Sequence, residues 1–201
     1  YLYDWGRNNY ASLGQNSITS YSSPKQVGSL TNWSVISNGR YHSIAIKTDG
    51  SLWSWGDGAY GQLGLGKITY YSSPIQVGSA TNWRTVSAGF DSSFGIQTNG
   101  TLWAWGNNTQ GSLGLNNVTY VSSPVQVGAL TTWSSISSGR YLSLAIKTDG
   151  TLWAWGWNGN GELGLNTNLG YRSSPVQVGS LTNWNLIASG WNHTLATYNT
   201  F

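Results

Sequence analysis

The nonamer Thr-Asp-Gly-Thr-Leu-Trp-Ala-Trp-Gly at 148–156 recurs at 98–106 with one change and at 48–56 with two, so an interval of 50 residues governs this chain. Trp5, Trp55, Trp105 and Trp155 keep the interval. Pro24, Pro74, Pro124 and Pro175 keep it too, as do Trp33, Trp83, Trp133 and Trp184, and Gly39, Gly89, Gly139 and Gly190, with one extra residue in the last copy. A period of this length marks a supersecondary unit that buries its apolar face by stacking on the next unit. The units run 1–50, 51–100, 101–150 and 151–201 and form one repeat domain.

Each unit reads as β-structure. In the third, residues 124–128, 133–139, 142–147 and, across the unit boundary, 151–155 are short apolar runs bounded by Gly and polar residues. Leu142, Leu144 and Ile146 alternate with smaller residues, the period of a strand. Asp149-Gly150 supplies the positive φ angles of a tight turn, which makes 142–155 a hairpin. Four short antiparallel strands per unit, repeated in tandem, predict an all-β fold, a β-propeller of four blades. Ala45, Gly95, Ala145 and Ala196 fall mid-way along the third run, and their small size is read as crowding of an innermost strand near the propeller axis. The pairs Trp53 and Trp55, Trp103 and Trp105, and Trp153 and Trp155 are read as a packed aromatic ladder rather than a sugar-stacking array, because they stand at identical positions in every unit.

The chain opens on Tyr-Leu-Tyr-Asp-Trp-Gly, a Trp strand without its unit, and the fourth unit stops before its own Trp strand. Pairing residues 2–5 with 194–198 would complete the last blade and remove two strand edges that invite aggregation. Closure of four blades within this chain, membership of a larger propeller and strand exchange between copies all remain open at this level. Residue 1 is Tyr and no signal peptide is visible, so the chain is read as processed or as cut from something longer.

Composition narrows the function. Charged residues are 7% of the chain, against about a quarter in ordinary globular proteins, while 13 Trp and 12 Tyr supply apolar area. There is no Cys and no Met, which excludes disulfides and thiolate chemistry and leans towards an extracellular or virion-surface setting. No apolar run reaches the ~18 residues of a membrane span. The formal charge of +3 comes from scattered basic residues without a stripe, so nucleic acid has no electrostatic footing. Asp49 and Asp149 are turn residues, Asp4 lies on the closing strand, Asp57, Asp91 and Glu162 are single loop residues, and His42 with His193 lacks a carboxylate partner for a metal. No catalytic, cofactor or metal site is assigned, and the chain is read as a non-enzyme.

Comparing units separates scaffold from surface. Positions 40–42, 90–92, 140–142 and 191–193 vary while their neighbours repeat, and they should ring one face near the axis. Arg40, Tyr41, His42, Phe90, Asp91, Arg140, Tyr141, Trp191 and Asn192 are therefore the candidate binding surface, rich in residue types that dominate interfaces. Tyr60 and Trp157, from the variable loops after the Trp strands, join them. The expected partner is a protein or a second copy, with a glycan admitted.

The pattern Trp-Gly-x-x-x-x-Gly-x-Leu-Gly, preceded by Leu-Ala-Ile-Lys-Thr-Asp-Gly, resembles the repeat of the regulator of chromosome condensation family over the whole chain, and Ser-Ser-Pro-Val-Gln-Val-Gly looks like its bacterial and phage forms. The resemblance implies a β-propeller, usually of seven blades, acting mostly as a binding module. Some members promote nucleotide exchange on the GTPase Ran, and a secreted bacterial relative inhibits β-lactamases. The family's His-Ser reads here as His42-Ser43, Ser92-Ser93, Leu142-Ser143 and His193-Thr194, and Ala11 replaces the Gly of 61, 111 and 161. Four units and little charge argue against Ran-type exchange. The expected function is a non-enzymatic protein-binding or display scaffold, with a self-assembling structural subunit as the alternative.

Overall fold

A computed structural model describes residues 1–168 and 170–200. It contains sixteen strands among those residues: β1 (Tyr3–Gly6), β2 (Tyr21–Gln26), β3 (Trp33–Asn38), β4 (His42–Lys47), β5 (Leu52–Gly56), β6 (Tyr71–Gln76), β7 (Trp83–Ala88), β8 (Ser92–Gln97), β9 (Leu102–Gly106), β10 (Val121–Gln126), β11 (Trp133–Ser138), β12 (Leu142–Lys147), β13 (Leu152–Trp157), β14 (Tyr171–Gln177), β15 (Trp184–Ser189) and β16 (Thr194–Tyr198). They form antiparallel sheets β3–β4–β5–β6, β7–β8–β9–β10 and β11–β12–β13–β14, flanked by the pairs β1–β2 and β15–β16.

The blades are out of phase with the expected grouping. The Pro-Val-Gln strand does not open a blade: β10 pairs with β9, placing Val125 opposite Ala104, and so forms the outer edge of the preceding sheet. The Trp133 strand β11 is the inner edge, and successive inner strands β3, β7, β11 and β15 contact one another. Serine hydroxyls join them. Ser37 Oγ accepts from the Ala88 amide at 2.9 Å, Ser87 Oγ lies 2.8 Å from Ser138 Oγ, and Ser137 Oγ accepts from the Ser189 amide at 2.9 Å.

The strand carrying Ala45, Gly95, Ala145 and Ala196 is therefore second from the axis, and its small residues have another cause. A Cβ on Gly95 would stand 2.6 Å from the Trp83 ring, because the indole of that inner-strand Trp lies over this position. Ala45 and Ala145 pack in the same clusters as the corresponding inner-strand residues Trp33 and Trp133.

One carbonyl per junction locks neighbouring blades. Ser112 O accepts both Trp155 Nε1 (2.8 Å) and Ser143 Oγ (3.0 Å), Gln62 O accepts Trp105 Nε1 (2.9 Å) and Ser93 Oγ (2.8 Å), and Ser12 O accepts Trp55 Nε1 (2.8 Å) and Ser43 Oγ (3.0 Å). Each clamp occupies a carbonyl twice at the junction between blades, where an unmade bond at a buried group costs more than a made one gains. Trp55, Trp105 and Trp155 are buried core, as the ladder reading expects.

The expected closing strand is not formed. β1 pairs with β2, with Tyr3 opposite Gln26, and β16 pairs with β15. The inner strands contact one another in series, β3 to β7 to β11 to β15, and the two half-blades stand at the two ends of that series. Ser12 ties the β1–β2 pair to the flank of β4–β5, while the Thr194 hydroxyl bonds Glu162 O and ties β15–β16 to the far end of the stack. Trp5 consequently remains 57% exposed, where its counterparts Trp105 and Trp155 are fully covered.

Candidate functional site

The hairpins β3–β4, β7–β8, β11–β12 and β15–β16 turn at one end of the inner strands, each with Gly39, Gly89, Gly139 or Gly190 at its approach. These glycines are required by crowding. A Cβ on Gly39 would meet Gly89 O at 2.5 Å, one on Gly89 would meet Gly139 O at 2.7 Å, and one on Gly139 would meet Gly190 O. Backbone bonds then step from hairpin to hairpin, Arg40 N to Phe90 O at 3.2 Å and Phe90 N to Gly139 O at 3.1 Å. The residue after each glycine is forced onto the axial face.

There the four variable residues meet. The Arg40 guanidinium lies 4.4 Å from the centroids of both Tyr41 and Phe90. The Arg140 guanidinium lies 4.5 Å from Trp191, 4.6 Å from Tyr141 and 5.2 Å from Phe90. Phe90 and Trp191 touch edge to face at 5.0 Å. Cation and ring alternate around a shallow basin of about 200 Å³, and its walls include those glycines. Such contacts orient long side chains before any ligand arrives, which lowers the ordering cost of binding. The buried Nε of Arg140 has no hydrogen-bond acceptor.

Asp91 stands beside this crown. Burial raises its carboxyl pKa, Arg40 and Arg140 pull it back, and Asp57 pushes it up. Trp191 (53%) and Arg40 are exposed, while Phe90, Arg140, Tyr141 and Tyr41 are half-buried.

Other expected residues fall elsewhere. His42 is 1% exposed and is not part of any surface. It opens β4 opposite Gly56, its ring packs where a Cβ on Gly39 would stand, and its Nε2 lies 2.9 Å from Ser93 Oγ in the next blade. Burial lowers its pKa to about 4, against the opposing pull of its bond to the Ser92 backbone. Asn192 is exposed on the fourth hairpin without joining the ring contacts. Tyr60 is 44% exposed on the loop after β5, and Trp157 is half-buried, its ring against Gly159.

Tyr10, stacked on Tyr41 at 4.0 Å, is a crown residue that pattern reading missed. Its signal was available, since it occupies the same loop position as Tyr60. Among the described residues no three His, Cys, Asp or Glu side chains gather as a metal set, and no helix is long and apolar enough to cross a membrane.

Tandem four-stranded sheets stacked inner edge to inner edge, with variable hairpins gathered on one face, define a repeat protein of the β-propeller class. The chain belongs to the family of the regulator of chromosome condensation (RCC1) repeat, whose model matches residues 1–46, 49–96, 99–146 and 149–197. Among solved structures it is similar to human WBSCR16, at 24% identity over 98% of this chain and 54% of that one, with a TM-score of 0.85. It is similar also to Prp20p of Saccharomyces cerevisiae, at 21% identity over 96% of this chain and 50% of that one, with a TM-score of 0.84. A second structure of yeast RCC1 (Prp20), bound to Kap60, matches at 20% identity over 93% and 46% of the two chains, with a TM-score of 0.81. The chain spans about half the length of these proteins. No curated protein matches it.

Proposed function

We propose that this chain is a non-enzymatic protein-binding module, displayed outside the cell or on a virion surface, that engages its partner with the axial crown. The observation that carries the reading is the meeting of Arg40, Phe90, Arg140 and Trp191, each from a different repeat, at positions where the scaffold imposes no residue type. Arginine and tryptophan in a preorganised cluster are the residue types from which interface hot spots are built. Prp20p is described with binding to Gsp1p and histones and in complex with Kap60, which supports protein partners as the class of ligand. The absence of Cys and Met and the low charge support an oxidising setting. The test is a peptide binder selected from a random library against the wild-type chain, titrated against Arg140→Ala/Tyr141→Ala. The reading expects a loss of tenfold or more in affinity; unchanged affinity refutes the choice of site.

One observation favours a second reading, self-assembly. In every complete sheet the strand equivalent to β16 pairs with the equivalent of β1, yet these two are unpaired with each other here. Exchange between copies would join them and give a mass by light scattering that is a multiple of one chain. A mass of one chain across the accessible concentration range counts against it.

A further inference from the structure

A second type of site lies away from the crown, between the outer parts of consecutive blades, and it is present three times. Trp133 and Trp153 meet at 6.1 Å with planes 80° apart, forming a corner. Trp83 with Trp103 (6.2 Å, 72°) and Trp33 with Trp53 (6.1 Å, 83°) repeat that corner. Each opens on a cavity, of about 450, 480 and 300 Å³ respectively. Buried Val127, Val77 or Val27 contributes to the wall from one blade, and Pro175, Pro124 or Pro74 from the next.

Two features separate these cavities from packing defects. First, the indole N–H groups of Trp33, Trp83 and Trp133 are buried without an acceptor, although buried polar groups are nearly always paired. The same omission in successive repeats is a property of the design of the unit. Second, the inner member of each Trp-x-Trp pair is spent on the interblade clamp, while Trp53, Trp103 and Trp153 stay half-exposed in the cavity wall. Lys47 and Lys147 stack at 3.4 and 3.5 Å from the Trp53 and Trp153 centroids, which holds those rings in position.

The lining fixes the chemistry of an occupant. No charged side chain lines any of the three cavities, so an ion has no partner there. The walls are aromatic and aliphatic, and the rim carries amides and hydroxyls: Gln126, Asn117 and Ser174 in one, Gln76, Gln97 and Ser123 in another. A ligand that matches this lining has an apolar C–H face for an indole and hydroxyls for the rim amides and serines. We propose that these three interblade corners are repeated binding sites for an uncharged pyranose sugar. Three related weak sites on one body would give avidity towards a polysaccharide or glycosylated surface well beyond that of one corner.

The test is saturation-transfer difference NMR on the intact chain with methyl glycosides of glucose, galactose, mannose and fucose and with N-acetylglucosamine, at millimolar concentration. The proposal expects at least one to receive saturation, strongest on the C–H protons of one ring face, and to titrate with a stoichiometry near three. Trp53→Ala/Trp103→Ala/Trp153→Ala is expected to lower the affinity at least tenfold. Should that variant fold poorly, Ser73→Tyr/Ser123→Tyr/Ser174→Tyr blocks the rims with the tryptophans intact and is expected to do the same. The proposal is overturned if no glycoside receives saturation, if binding survives the rim block, or if hexaproline occupies the corners in preference to every sugar.

Discussion

His42 gives a sharp test of the interblade junctions. Its imidazole is buried and neutral, bonded to Ser93 of the next blade, with a pKa of about 4 against an ordinary 6.5. Between these values the unfolded chain binds a proton that the folded chain refuses, so stability falls as pH falls. The contribution is fully present above pH 6.5, declines below it, and is gone below about pH 4. A shift of that size corresponds to about 3 kcal/mol over the whole window and about 1.4 kcal/mol by pH 5.5. The perturbation that isolates it comes from the chain itself, because the third repeat carries buried Leu142 at the same position. In His42→Leu the Ser93 hydroxyl keeps its bond to Gln62 O, and the acidic groups that titrate in the same range are common to both proteins. Urea unfolding followed by tryptophan fluorescence at pH 7.5, 5.5 and 4.0 should show the wild type losing about 3 kcal/mol more than the variant across the series. Parallel curves would refute the reasoning, since His42 would then titrate alike in the folded and unfolded chains.

Three further outcomes follow from the same geometry. Ala11, at φ +62° where its counterparts are glycines, should be replaceable by Gly with a gain of up to about 1 kcal/mol in urea unfolding. Gly89→Ala places a Cβ 2.7 Å from Gly139 O and should cost about 1–3 kcal/mol, read as a lowered melting temperature with weakened protection of the Phe90 amide in hydrogen exchange. Trp155→Phe leaves Ser112 O with only the Ser143 hydroxyl and should cost about 1 kcal/mol for the lost bond before any packing loss, measured by denaturant titration.

Much of the scaffold was legible because it is local. The Asp149-Gly150 turn and the alternation of Leu142, Leu144 and Ile146 lie within short windows, and the 50-residue period is read directly by laying the copies side by side. The phase of the blade was not, because Val125 chooses Ala104 as its partner through a long connection that leaves no trace in strand pattern. Local pattern likewise cannot say that Gly95 is small on account of the Trp83 ring rather than of axial crowding. The expected end-to-end pairing rested on edge avoidance alone, whereas β1 pairs only with β2 and β16 only with β15. At the crown, the glycine-plus-one positions that vary between units are the ones the hairpins bring together. His42, two residues further on in the first hairpin, is already the first residue of β4, an interior strand that its neighbours bury along its whole length. That is a property of the neighbouring strands and is invisible at position 42.

The central claim is that residues repeating every 50 positions carry the fold, whereas the variable residues on the axial face carry binding. It is tested most directly by a saturation mutagenesis scan that reads protease resistance and capture by a selected binder separately. The account expects substitutions at Gly39, Gly89, Gly139, Trp55, Trp105 and Trp155 to fail in both readouts, and those at Arg40, Phe90, Arg140 and Trp191 to fail in binding alone. Binding-specific losses concentrated on the outer strands, with the four crown positions neutral, would contradict it.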